Sequence, residues 1–142
     1  ITNSCCQGEP YGTTGVPPGM FSRSPRSVSS AMVRDGMSNT IMLGEALPSV
    51  NMHNTAFCAN APIGFTNIPM NLPIPISKRI VPGASDLANH TNNPAEDVSG
   101  YASRHLGGAT FAMGDGSVHF MFDSIDFPLY NALGTRDGGE AV

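Results

Sequence analysis

The stretch Tyr101-Ala-Ser-Arg-His-Leu-Gly-Gly-Ala-Thr-Phe-Ala-Met-Gly-Asp-Gly-Ser-Val-His-Phe-Met-Phe122 decides the fold of this chain. It reads as a β-hairpin closed by Asp115-Gly116, a dipeptide suited to a type I′ turn, in which both central residues take φ > 0. A two-residue loop sets Gly114 opposite Ser117, Met113 opposite Val118, Ala112 opposite His119, Phe111 opposite Phe120, Thr110 opposite Met121 and Ala109 opposite Phe122. Side chains alternate along a strand. One face therefore gathers Ala109, Phe111, Met113, Val118, Phe120 and Phe122, and the other Thr110, Ala112, Ser117, His119 and Met121. A slip of one residue would mix the two sets, so the pattern predicts its own register. The apolar face is expected to pack on a helix, with the C-terminal one as a candidate.

Working outward, Asp126-Phe-Pro-Leu-Tyr-Asn-Ala-Leu-Gly134 reads as a short helix over 127–133. Asp126 is its cap, Pro128 sits harmlessly in the first turn and Gly134 closes it. Phe127, Tyr130 and Leu133 form its expected buried stripe. Upstream, Thr40 to Glu45 reads as a strand with Ile41 and Leu43 on one face, which gives an antiparallel sheet of 40–45, 109–113 and 117–122. Ser27 to Arg34 reads as a second short helix, capped by Ser27 or Ser29, burying Val28, Ala31 and Met32, and stopped by Asp35-Gly36. Ser38-Asn39 turns the chain. Residues 1–18 read as coil, 49–100 mostly as loop. Within the latter, Pro62 to Pro82 reads as an extended, polyproline-like connection, with short strands proposed at 56–59 and 77–81. Asn89-His90-Thr91 matches a glycosylation sequon that also arises by chance. The fold class predicted is α+β in a single domain over 1–142.

Composition limits the function. Only 13% of the 142 residues are charged, against roughly 25% in ordinary soluble domains. Lys78 is the single lysine and the net charge is −4. A nucleic-acid partner needs clustered Lys and Arg, and so does a polybasic membrane contact. With 16 glycines, 12 prolines and frequent Asn, the surface is expected to be neutral and loop-rich, which suits extracellular life or dense assembly and equally an ordinary loop-rich soluble domain. No apolar run approaches the roughly 20 residues of a membrane span. The start at Ile1 is read as the mark of a processed or trimmed chain. Cys5, Cys6 and Cys58 lack the paired spacing of a zinc site. Three arrangements stay open: a bridge from Cys58 to Cys5 or Cys6, which needs an oxidising compartment; three free thiols; or a pairing with chain outside these residues.

Four ordered motifs carry a family resemblance. His105, nine residues, then Asp115-Gly116 resembles the H-x9-DG signature of a bacterial, planctomycete-type family of pseudopilin-like surface proteins known as a domain of unknown function. Asp35-Gly-Met-Ser-Asn-Thr-Ile-Met-Leu-Gly-Glu45 resembles its DG-x-SNT-x-x-x-GE segment. Ser103-Arg-His-Leu-Gly-Gly108 resembles its S-x-H-x-GG motif, and Leu133-Gly-Thr-Arg-Asp-Gly-Gly-Glu140 its L-G-T-R-x-GG-E ending. The resemblance implies a pilin-like globular head with a small antiparallel sheet, short helices and long loops, carried outside the cell behind a prepilin-type leader and a long apolar helix. Membrane contact is then expected only through such a helix ahead of Ile1, which in an intact relative would be a second candidate to cover the apolar hairpin face. The implied role is a non-enzymatic structural subunit of a pilus-like filament, pseudopilus or cell-surface assembly, partnered by copies of itself or related subunits.

The motif residues include groups capable of chemistry. His105 and Asp115 admit a metal or ligand site; the preferred reading has Asp115 making the turn and His105 capping the strand before Gly107-Gly108. His119 is expected at the surface, and His53 and His90 lack a partner at ligand spacing. Asp115, Asp123, Asp126 and Glu140 are weak calcium candidates, too spread for a site needing six to eight oxygens. No other cofactor is implied. Asp35 and Glu45 resemble a hydrolase pair only in type, and Ser38 lacks a nucleophile elbow. Asp35, Gly36, Ser38, Asn39 and Glu45 are therefore read as a helix stop, a turn and a strand end. No base is evident beside a cysteine. The alternative function is a surface-displayed binding module for carbohydrate or calcium.

Overall fold

The computed structural model describes residues 19–21, 27–47, 64, 66, 68–72 and 100–139. Three strands, β1 (Ile41–Gly44), β2 (Gly108–Met113) and β3 (Val118–Phe122), form an antiparallel sheet in the order β1-β2-β3. One helix, α1 (Phe127–Leu133), follows, and two single 3-10 turns at Ser30–Met32 and Met37–Asn39 precede β1. The described fold is thus α+β. The readings at Cys5, Cys6, Cys58, His53, Asn89, His90 and Glu140, and the strands proposed at 56–59 and 77–81, lie outside the described residues.

The core forms where β2 meets α1. Ala109, Phe111 and Met113 point to one face and are buried, joined by Ile41, Met70, Tyr130 and Leu133. The Phe111 ring stands edge-on between Tyr101, 5.1 Å between centroids, and Tyr130, 6.0 Å. Burial pushes the Tyr101 phenol up to about 12. It pushes the Tyr130 phenol up further, with Tyr101 adding to the effect. Helix α1 is placed as expected. The Asp126 carboxylate accepts the Leu129 N–H at 3.0 Å, satisfying a first-turn amide, and proline stands in that turn. Its buried set is Tyr130, Ala132 and Leu133; Phe127 is largely exposed rather than part of the stripe.

The hairpin register differs from the expected one by one residue. Gly108 pairs with Phe122, Ala109 with Met121, Thr110 with Phe120, Phe111 with His119 and Ala112 with Val118. The loop holds three residues, Gly114-Asp115-Gly116. Of the Asp-Gly pair only Gly116 has positive φ, +87°, which excludes type I′. Gly116 N–H donates to Met113 O and Met113 N–H to Ser117 O, so a tight turn is followed by a left-handed glycine. Contacts from outside the hairpin hold this longer loop: the Gly114 and Asp115 amides donate to Thr40 O and Met37 O. The slip reverses β3. Val118, Phe120 and Phe122 share a face with Thr110 and Ala112, not with Phe111, and they are 65%, 43% and 64% exposed.

Three smaller expectations also change. A register shift between Ile41 and Leu43 breaks the alternation of β1, so Ile41 is 5% exposed and Leu43 57%. Instead of a helix over 27–34 there is only the turn at Ser30–Met32; Ala31 and Met32 are exposed and Val33 is the residue buried. The segment between Pro62 and Pro82 is not wholly an extended connection. Ile68 and Met70 are buried, and Met70 and Asn71 form a turn in which Asn71 takes φ +54°.

Candidate functional site

The motif residues gather at three places rather than one. The first is the end of β1. Glu45 N–H donates to Thr110 O at 3.1 Å, and Thr110 N–H donates to the Glu45 carboxylate at 2.7 Å. A side chain thus takes over the ladder where the β1 backbone leaves it. His105 Nε2 lies 3.4 Å from Glu45 Oε1, and the His105 ring stands edge-on to Phe120 at 6.3 Å. The Ser103 hydroxyl accepts the His105 N–H at 3.0 Å and also bonds the Glu45 carboxylate. Burial acts to raise the Glu45 carboxyl, but the Thr110 amide, the hydroxyls of Ser103 and Thr110, and His105 outweigh it and hold the group below its ordinary value.

A carboxyl depressed on folding contributes stability above its unfolded value, about 4.3 for glutamate, and loses it as pH falls through the folded value. Melting temperature should therefore drop below about pH 4, and the drop should be smaller in Glu45→Gln. Parallel melts from pH 7 to 3 check this; equal acid sensitivity in both proteins refutes it.

The second place joins positions more than a hundred residues apart. One Asp35 carboxylate oxygen accepts the Gly138 N–H at 2.7 Å and the Thr135 hydroxyl at 3.4 Å, and the other accepts the Gly139 N–H at 3.0 Å. The Arg34 and Asp35 amides in turn donate to Arg136 O, and the buried Arg136 guanidinium donates to Gly19 O at 2.7 Å. An exposed Arg34–Asp137 ion pair at 3.1 Å flanks them. Gly36 has φ +100°, a region other residues rarely enter. The Asn39 amide donates to Asp35 O, and the Thr40 hydroxyl to Gly36 O. Ser38 is exposed in the same turn.

The third place is the hairpin loop. Asp115 Oδ1 accepts the Ser117 hydroxyl at 2.7 Å and the Ser117 N–H at 2.9 Å; these two bonds, with a smaller contribution from His119, hold its carboxyl below the usual range. His119 Nε2 lies 3.0 Å from the Ser117 hydroxyl. His105 and Asp115 therefore stand at opposite ends of β2, each with other partners. Asp35 and Glu45 are likewise engaged by different segments. Asp123 accepts from Asn71 at 2.8 Å and Asp126 caps α1, so neither joins Asp115. Among the described residues no three His, Cys, Asp or Glu side chains gather as metal ligands.

A family profile described as "Protein of unknown function (DUF1559)" matches residues 4–128. The chain belongs to the DUF1559 family. No curated protein and no solved structure matches it. The matched span of the DUF1559 chain contains Asp35, Glu45, His105 and Asp115 but stops ahead of Gly138 and Gly139, the amides that hold Asp35. No described helix of the chain is long and apolar enough to cross a membrane.

One organising residue of this DUF1559 chain gives little sign of itself in sequence. Asn71 accepts the Ser103 N–H at 2.7 Å and donates to Asp123 at 2.8 Å and to Gly108 O at 3.3 Å. It ties the Ser103–His105 loop to both strands of the hairpin. The available signal was its type, since asparagine is the residue after glycine that best tolerates positive φ.

Proposed function

We propose that this protein is a non-enzymatic structural subunit of an extracellular assembly: a pilin-like head that builds a filament, pseudopilus or cell-surface layer with copies of itself or related subunits. One observation carries the reading. The motif carboxylates accept hydrogen bonds from the chain's own backbone and hydroxyls: Asp35 from Gly138 and Gly139, Glu45 from Thr110, Asp115 from Ser117. Groups engaged in this way fix a fold and are poorly placed for acid, base or nucleophile work, which needs side chains converging on a common point. The low charge, the lone lysine and the apolar residues on the outer sheet face favour packing between subunits over recognition of a charged ligand.

Electron microscopy of the intact gene product, as secreted and untreated, tests the proposal. Filaments or ordered arrays that label with antibody to this domain are expected. A protein dispersed as single molecules on and around the cell overturns it.

A further inference from the structure

We propose that β3 is a self-pairing edge: two copies of the chain join β3 to β3 antiparallel about a twofold axis at Phe120, making one six-stranded sheet. Among the described residues β3 has a neighbour on one side only. The direction of its backbone groups follows from its two ends. Ser117 O accepts from Met113 N–H, and Asp123 N–H donates to Gly107 O, so the odd-numbered residues from 117 to 123 address β2. In an antiparallel ladder the residues between them turn their N–H and C=O the other way. Val118, Phe120 and Phe122 therefore turn three N–H donors and three carbonyls away from β2; the carbonyls of Val118 and Phe120 are open, while Phe122 O already accepts the Ile125 N–H at 3.0 Å.

Strands left at an edge are usually guarded by Lys, Pro, an inward charge or a bulge. β3 has none: Val118-His-Phe-Met-Phe122 pairs with β2 without a break and contains no Lys, Arg, Asp, Glu, Pro or Gly. The run from Ser117 has the composition of segments that pair strongly with themselves. Register then follows. A twofold contact must be self-complementary. With the axis at Phe120, Phe120 lies opposite its own copy and Val118 opposite Phe122, so all three outward residues form hydrogen-bonded pairs; four of the six bonds use open groups, and the two to Phe122 O use the second lone pair of a carbonyl that also holds the Ile125 N–H. Shifting by two residues in either direction leaves one residue of each copy unpaired. The same register sets the aromatic and β-branched side chains of both copies on one face, as favourable cross-strand pairs. Phe120 and Phe122 already stand edge-on, 5.4 Å apart within one copy.

This pairing does not rest on the filament reading. An isologous contact closes on two copies, so a dimer without filaments would support the one proposal and not the other.

Amide exchange measured by NMR from micromolar to millimolar protein tests the unaltered chain. Protection of the Val118, Phe120 and Phe122 amides should rise with concentration, while His119 and Met121, already bonded to β2, should not change. Absence of this alternation, or a monomer by sedimentation equilibrium throughout the range, overturns the proposal. Phe120→Lys opposes two like charges at the axis and should weaken dimerisation about tenfold or more, with the far-UV spectrum and melting temperature showing that it folds. Val118→Lys and Phe122→Glu should each weaken it singly and, combined in one chain, restore much of the loss, because position 118 lies opposite 122 of the other copy. A combined variant no better than the sum of its parts overturns the register.

Discussion

Phe111→Ala is expected to lower the unfolding free energy by about 3–5 kcal/mol, the largest loss from any single side chain in the described core. Phe111 is fully buried on the middle strand of the sheet, and its ring makes edge-on contacts with Tyr101 and Tyr130. Truncation removes the transfer term of an aromatic side chain and leaves a space that surrounding elements cannot easily fill. Strands β1 and β3 hold β2 on both sides, and α1 is fixed at its start by the Asp126 cap. Aromatic pairs add about 0.5–1.5 kcal/mol each beyond buried area. Since small domains keep only about 5–15 kcal/mol in total, the variant should be close to unfolding at ambient temperature. Urea titration followed by far-UV circular dichroism measures it; a midpoint within error of the parent would show that Phe111 is not the centre of the core.

Gly108→Ala should be nearly as damaging, about 3 kcal/mol or more, and for a steric reason. Gly108 opens β2 opposite Phe122. A β-carbon there would run into the Met121 carbonyl oxygen and meet two Phe120 ring carbons at 2.8 Å. The ring can move, but the carbonyl belongs to the paired strand and cannot yield without opening the ladder. Gly107 beside it offers the opposite case. Its φ is +77° and no atom lies within 4 Å of an added β-carbon, so Gly107→Ala should lose only the conformational cost of about 1–2 kcal/mol. The two glycines of one motif are thus required for different reasons. The same denaturation series separates them, and equal losses at both positions would refute the distinction.

The parts of this fold legible in the sequence are those set by local chemistry. Helix α1 was legible because its cap, proline and buried residues lie within nine consecutive positions. The hairpin strands were legible because Ala109-Thr-Phe-Ala-Met113 and Val118-His-Phe-Met-Phe122 are apolar runs on either side of a turn. Their register was not. It depends on whether Gly114 belongs to the strand or the loop, and that is settled by Met37 and Thr40, more than seventy residues upstream. The orientation of Leu43 was hidden for a related reason, since an irregularity in β1 pairing leaves no mark in composition. At the motif positions, sequence identified which residues matter without showing which of them meet. Spacing joins His105 to Asp115, whereas the fold joins His105 to Glu45 and Asp35 to Gly138, contacts across 60 and 103 positions that no local pattern encodes.

The Asp35 contacts with Gly138 and Gly139 also bear on how the chain reaches its fold during synthesis. The Asp35 carboxylate cannot find its donors until residues 138 and 139 have left the ribosome, and β1 must wait for β2 across 63 intervening residues. Contacts so distant in sequence require a long loop to close before they repay it, which slows folding. Until then Ile41 and Leu43 of β1 have no sheet to join. A chain that has emerged only as far as residue 137 would hold both sheet and helix yet lack the clasp that ties Asp35 to Gly138 and Gly139, so ordering of the Asp35 turn should follow that of the sheet.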